Sequence, residues 1–246
     1  MMRIPRIYDP QPMMAGDLIT LGDSASQHLG RVLRMKVGDA VILFNGLLVD
    51  GNVGEYPATI TTITKKSVEV KLGDLTQSNT ESPLQVHLGQ CLSKGERFDY
   101  AIQKSTELGV TQITPLFSER TEVKLPAERA EKRTRHWQQI AISACEQSFR
   151  CAVPEIFEPQ KLNDWLAVEA DLKLVLDPRG AEPLSTDIQP TSIALLIGPE
   201  GGLSDVEVDL AVKAGFKPVS FGPRILRTET APVVALSLLQ NIWGDL

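Results

Sequence analysis

Over the first seventy or so positions, apolar residues come in short runs rich in β-branched and aliphatic side chains, at 17–21, 40–44, 47–51, 58–63 and 67–72. Turn formers separate the runs: Gly38-Asp39, Asn45-Gly46 and Lys65-Lys66. Asn45-Gly46 is the strongest hairpin signal, because both of its residues tolerate positive φ. Short strands at this spacing predict a small β-barrel. One helix interrupts it, opening at Ser24 with Gln27 three residues on, a capping-box arrangement, and running through His28, Arg31 and Arg34.

The pattern changes at 73–83, a polar stretch without apolar periodicity that ends in Pro83 and reads as a linker. Beyond it, strand-like runs alternate with helical ones. Strands are expected at 84–92, 112–116, 172–176, 192–197 and 218–221, with helices at 97–108, within 128–147, at 205–214 and at 231–243. Such alternation predicts an α/β domain with a mostly parallel sheet and helices on its faces. The expected organisation is two domains, 1–72 and 84–246, joined by the linker. A chain of 246 residues accommodates two modest domains.

Composition removes several classes without choosing among the rest. At 42% hydrophobic and 23% charged residues the chain is ordinary globular material, not a disordered, collagen-like or disulfide-scaffold sequence. No apolar run approaches the roughly 20 residues of a membrane span, and 1–6 lack the apolar core of a signal peptide, so a cytoplasmic location is expected. Cys91, Cys145 and Cys151 contain no C-x-x-C spacing; they fit neither a zinc site nor a disulfide framework and read as reduced thiols, with no metal expected.

The net charge of -6 argues mildly against non-specific coating of nucleic acid. Its distribution alters that picture. Residues 1–72 balance at +1, whereas 73–246 carry -7. Even there, residues 120–150 hold seven basic side chains against four acidic ones, either a solvated helix face or a phosphate-contacting surface.

Candidate chemistry gathers in two loops. The apolar run ending at Ile197 enters Gly198-Pro199-Glu200-Gly201-Gly202, and then a helix capped by Ser204 with Glu207 at its third position. Loops at the carboxyl ends of parallel strands are where ligands collect, and absent side chains let a ligand approach backbone amides. About twenty residues later the arrangement recurs: Phe221-Gly222-Pro223-Arg224-Ile225-Leu226-Arg227-Thr228-Glu229-Thr230-Ala231, followed by a helix with Pro232 in its first turn. Neither a G-x-G-x-x-G nor a P-loop pattern occurs, so ordinary dinucleotide and nucleoside-triphosphate readings lose their main support. Taken alone, Arg224, Arg227 and Glu229 could equally form a salt-bridge cluster steadying the loop.

The stretches 196–202 and 221–231 resemble the two signatures of the RsmE family, which methylates N3 of a uridine in 16S ribosomal RNA of the small subunit using S-adenosylmethionine. The segments 94–99 (Lys-Gly-Glu-Arg-Phe-Asp), 104–109, 140–147 and 28–35 resemble it too, so the likeness covers nearly the whole chain. One position departs: family members usually carry glycine or a small residue where this chain has Phe149.

The resemblance implies an N-terminal PUA-like barrel for RNA and a C-terminal SPOUT methyltransferase domain with a trefoil knot, paired as a homodimer partly through the final helix. It makes the two loops the S-adenosylmethionine cleft, formed by Ile197, Gly198, Pro199, Glu200, Gly201, Gly202, Phe221, Gly222, Ile225, Leu226, Arg227 and Thr230. Arg227, Glu229 and Arg224 are then expected to be catalytic. RNA contact is expected at His28, Arg31, Arg34, Lys94, Arg97, Arg120 and Arg150. Two other readings stay open: a non-catalytic RNA-binding or ribosome-assembly protein of the same fold, and a methyltransferase of the same superfamily acting on another RNA or on a ribose hydroxyl.

Overall fold

The computed structural model describes residues 4–47, 53–78, 80–177, 179, 184 and 187–246. The chain divides into two compact units, Met1–Glu81 with Cys145–Val153, and Ser82–Ala144 with Pro154–Leu246.

The first unit is built on strands β1 (Arg6–Tyr8), β2 (Leu18–Thr20), β3 (Ala40–Phe44), β4 (Gly54–Ile63), β5 (Val68–Leu72) and β6 (Thr76–Gln77). They pair in the order β1-β3-β4-β5-β2, with β6 on β4. β1 runs parallel to β3, and the other pairs are antiparallel. Alternate residues of β4 and β5 face inward. Ile60, Val68 and Val70 join Leu29, Val41 and Leu43 in the core, the period-two burial that one-sided strands produce.

Two sequence expectations change here, and a third falls almost wholly outside the described residues. The run 73–83 is not linker throughout, because Thr76 and Gln77 pair with Glu55 and Gly54. Helix α1 (Asp23–Gln27) begins after Gly22 with no side-chain cap from Ser24. Its entry is held instead by Asp9, whose Oδ2 accepts from the Gly22 amide at 2.7 Å, a partner too distant in sequence for a capping pattern to reveal. The strand expected at 47–51 lies outside the described residues apart from Leu47, which is in no strand.

The segment 145–153 joins this unit through buried charge. Arg6, with its side chain 2% exposed, donates to Glu55 Oε2 at 2.9 Å and to the carbonyls of Cys145 and Arg150 at 2.8 and 3.2 Å. Arg150 pairs with Glu81 at 2.9 Å, and the other Glu81 oxygen accepts from the amides of Cys151 and Ala152 at 2.7 and 2.9 Å. Each buried charge therefore has an opposite charge or oriented dipoles, the condition for keeping it out of water. Phe149 adopts φ +67°, the left-handed conformation that ends helices and favours glycine. Its ring lies 5.1 Å from the Arg6 guanidinium, which gives the side chain a packing role at this strained position.

The second unit contains a sheet whose pairings are all parallel, in the order β10 (Gln160–Lys161), β8 (Gln112–Phe117), β7 (Gln85–Cys91), β12 (Ser192–Ile197), β11 (Leu172–Leu176) and β13 (Lys217–Val219), with β9 (Glu155–Ile156) on β8. Helices α2 (Arg97–Glu107), α3 (Ala127–Ser148), α4 (Leu162–Trp165), α5 (Asp205–Lys213) and α6 (Ala231–Trp243) complete it. β12 is buried along most of its length, which explains its uninterrupted apolar sequence. Leu116, Trp165, Val175, Leu196 and Phe216 form much of the core. Cys91, Cys145 and Cys151 are free and buried, and burial pushes the Cys91 and Cys145 thiols up to about 12. Among the described residues no helix is long and apolar enough to cross a membrane.

Candidate active site

The two loops following β12 and β13 meet across a cleft of about 670 Å³. That is within the usual size of a small-molecule site. Each loop is shaped by its own sequence. After Ile197 the chain turns at Gly198-Pro199, where the Gly202 amide donates to the Pro199 carbonyl at 2.9 Å. A Cβ at Gly198 would come within 3.0 Å of Leu203 Cγ, so glycine is needed for the turn to pack on Leu203. α5 then starts with the expected capping box: Glu207 N–H donates to Ser204 Oγ at 3.3 Å, and Ser204 N–H donates to Glu207 Oε2 at 2.9 Å. The second loop enters through Gly222 at φ +89°, a conformation costly for any other residue. It leaves through the Arg227 carbonyl, which accepts from the amides of Thr230 and Ala231, both at 2.9 Å, at the start of α6.

Thr228 is the buried residue of that second loop. Its hydroxyl donates to the Gly198 carbonyl at 3.1 Å and accepts from Gln90 Nε2 at 3.2 Å. On either side of it, Arg227 and Glu229 line the cleft. Glu229 Oε1 lies 3.9 Å from Arg97 Nε, and its Oε2 is buried without a hydrogen-bond partner. Arg97 also donates to Glu200 Oε1 at 3.1 Å, and the Lys94 amide donates to the same oxygen at 3.1 Å. Among the described residues Arg224 and Arg227 form no ion pair, and both are exposed. The self-contained salt-bridge cluster that the sequence left open is therefore not formed by these three side chains. Ile225, 88% exposed, lines the cleft as an uncovered apolar side chain.

Of the residues expected at a cofactor cleft, 197–202, Phe221, Gly222, Ile225, Leu226 and Arg227 line it, as do the expected catalytic Arg224, Arg227 and Glu229. Thr230 does not; it is the exposed residue just before α6. The cleft also takes in Leu176, Asp177, Arg179, Ser220 and Thr228, which the sequence reading missed. Asp177 and Arg179 follow β11 and pair at 2.9 Å. Their position at the carboxyl end of a parallel strand was the available signal.

The residues expected to contact RNA are divided between the two units. Arg97 and Arg120 line the cleft and, with Lys94, an adjoining depression of about 590 Å³. Arg120 is partly committed, donating to the carbonyls of Gly201 and Leu203 at 3.1 and 3.3 Å, and Lys94 is paired with Glu122. In the first unit exposed Arg31 shares a π-helical turn, His28–Val32, with half-buried His28, and exposed Arg34 follows it at φ +54°. Arg150 is corrected to a structural residue: its side chain is 5% exposed and paired with Glu81, leaving little to offer a phosphate.

Among the described residues no cluster of three metal-ligating side chains occurs. A family model described as an RNA methyltransferase domain matches residues 80–240, and one described as an RNA methyltransferase PUA domain matches 21–73. Ribosomal RNA small subunit methyltransferase E of Buchnera aphidicola (from Schizaphis graminum) is 38% identical over 247 residues, 99% of this chain and 98% of its own. That of Bacillus subtilis is 33% identical, covering 86% of this chain and 85% of its own. The structure of a Legionella pneumophila methyltransferase in complex with the cofactor SAM superposes with a TM-score of 0.93 at 45% identity, covering 99% of this chain and 100% of that one. A Neisseria gonorrhoeae ribosomal RNA small subunit methyltransferase E bound to S-adenosyl methionine gives 0.90 at 38%, again covering 99% and 100%.

Proposed function

The chain belongs to the ribosomal RNA small subunit methyltransferase E family, and from that membership we propose that it methylates N3 of a uridine in 16S ribosomal RNA with S-adenosylmethionine. The observation that carries the reading is Glu229: one carboxylate oxygen, buried and, among the described residues, unpartnered, in a cleft whose rim holds the exposed Arg224 and Arg227, neither in an ion pair with a described residue.

The cleft residues fit the cofactor. Gly198, Gly201, Gly202 and Gly222 leave backbone bare of side chains, Ile197, Leu203 and Leu226 supply apolar walls, and the orphaned Glu229 oxygen complements a cation. S-adenosylmethionine supplies an electrophilic methyl group on a positively charged sulfur. The protein must then deal with the N3 proton of the uracil, which has to leave as the new bond forms. Glu229 takes that proton, directly or through one water. Arg224 and Arg227 offer guanidinium donors that hold the uracil oxygens as negative charge spreads onto them. Thr228 keeps base and guanidinium on a fixed backbone, and Arg97 holds Glu229 Oε1 so that Oε2 stays free.

In the same reading residues 1–72 belong to a PUA-like domain that holds RNA and 84–246 to the methyltransferase domain, with support from the matches at 21–73 and 80–240, and the connection at 73–83 includes β6, which pairs back onto β4. The cleft loops belong to a trefoil knot. α6 contributes to a homodimer, and its exposed Leu238 and Ile242 support that role. The protein works in the cytoplasm.

The deciding experiment supplies labelled S-adenosylmethionine and small subunits from cells lacking the protein, followed by nucleoside analysis. The expected product is 3-methyluridine. A ribose-methylated product would establish the other chemistry, and no methylation of free RNA or of subunits would leave a binding protein.

A further inference from the structure

Four side chains of α3, Arg129, Lys132, Arg133 and His136, follow the spacing i, i+3, i+4, i+7 and so share one face. Arg129, Lys132 and His136 are exposed and Arg133 is half-exposed. Among the described residues neither Arg129 nor Lys132 forms an ion pair. The acidic residues of the same turns, Glu128 and Glu131, lie on the neighbouring row, where Glu131 is occupied by Arg135 at 2.7 Å. Residues 73–246 carry -7, so this stripe stands against its background and is not an average surface.

The stripe is anchored next to the cleft. Asp99 Oδ2 meets His136 Nε2 at 3.0 Å, and its Oδ1 accepts from Trp137 Nε1 at 3.1 Å with Arg133 Nη2 at 3.7 Å. The Arg133 guanidinium also lies 5.1 Å from the Trp137 ring centre. Asp99 is in the first turn of α2, two residues after Arg97, which lines the cleft. Through Asp99 the stripe is therefore tied to α2, the helix that supplies Arg97 to the cleft, and it runs along α3 towards Arg129.

We propose that this stripe binds the phosphate backbone of the single-stranded RNA flanking the target nucleotide. The proposal rests on the cleft being the site where the target base enters. Polyanion backbones are bound by such rows through charge and counterion release, without base recognition, so the stripe contributes affinity and register and no chemistry.

The test uses the full chain and an RNA fragment carrying the target uridine. Arg129→Gln/Lys132→Gln alters two exposed side chains outside the cleft. It is expected to make the slope of log affinity against log salt shallower by about 0.7 for each lost contact. KM for RNA rises, while kcat at saturating RNA and affinity for S-adenosylmethionine stay at wild-type values. Arg135→Gln, on the adjacent row, is expected to leave the slope unchanged. A wild-type slope in the double variant, or an equal change in the Arg135 control, overturns the proposal. Should wild-type protein bind the fragment yet methylate neither it nor intact subunits, the catalytic reading fails, and the slopes still decide the stripe.

Discussion

Thr228 Oγ1 donates to the Gly198 carbonyl across 3.1 Å, so a single hydroxyl ties the loop after β13 to the loop after β12. The same oxygen accepts from buried Gln90. Thr228→Val keeps the shape but removes the donor to the Gly198 carbonyl and leaves Gln90 Nε2 only its long contact with the Cys91 carbonyl at 3.4 Å, a loss of about 1–3 kcal/mol. The expected result is a lower Tm together with a higher Kd for S-adenosylmethionine by calorimetry, and Thr228→Ser should restore both. Wild-type values for Thr228→Val would show that the loops hold together without it.

Glu229 and Arg227 flank that tether, and the proposed function gives them different work, proton acceptor and charge-stabilising donor, so their variants should differ. Glu229→Gln removes the proton acceptor and should lower the single-turnover rate by roughly 10²–10⁴-fold. Arg227→Ala removes a charge-stabilising donor and should cost about 10²–10³-fold. Cofactor Kd measured beside each rate separates chemistry from binding. Near-normal rates with intact cofactor binding would strip these residues of their roles.

What the sequence made legible follows from how local the cause was. β12 and its glycine turn could be read because a doubly buried parallel strand is written as a continuous apolar run, and the Ser204 and Glu207 cap lies within four residues. The three-residue β1 left no periodicity to find, since its strand character comes from pairing with β3. Gly22 took the position expected of Ser24 because the anion that satisfies the entry to α1 is Asp9. Thr228 and Asp177 were missed for a similar reason: one is defined by hydrogen bonds to Gly198 and Gln90, far away in sequence, and the other by following a strand whose neighbours were unknown. Arg150 was misjudged because a basic residue in a basic stretch gives no local sign that Glu81 will bury it.

The buried position of Arg150 makes a prediction opposite to that of an RNA contact. Arg150→Met removes one partner of a buried pair, and such losses run to about 3–5 kcal/mol. The lower end is expected, because Glu81 keeps two backbone amide donors. Urea unfolding of the full chain should show the lower midpoint, whereas RNA affinity of the folded variant should match wild type. An unchanged midpoint with weakened RNA binding would return Arg150 to the RNA surface.

His87 provides a pH dependence whose sign follows from its surroundings. Burial lowers its pKa from 6.5 to about 4. Its contacts agree: Trp165 Nε1, which can only donate, points at His87 Nε2 from 3.3 Å, so that nitrogen must be an acceptor, and Thr114 Oγ1 sits 2.7 Å from it. The folded protein therefore holds the ring neutral. Above pH 6.5 both folded and unfolded chains are neutral there, and the ring imposes no penalty. Between 6.5 and about 4 the unfolded chain takes up the proton first, and stability falls, by about 2 kcal/mol from pH 7 to pH 5. His87→Gln retains a polar group opposite Thr114 but cannot titrate, so its urea midpoint should decline less over the same interval. Equal declines in variant and wild type would assign the acid sensitivity of the fold to other groups.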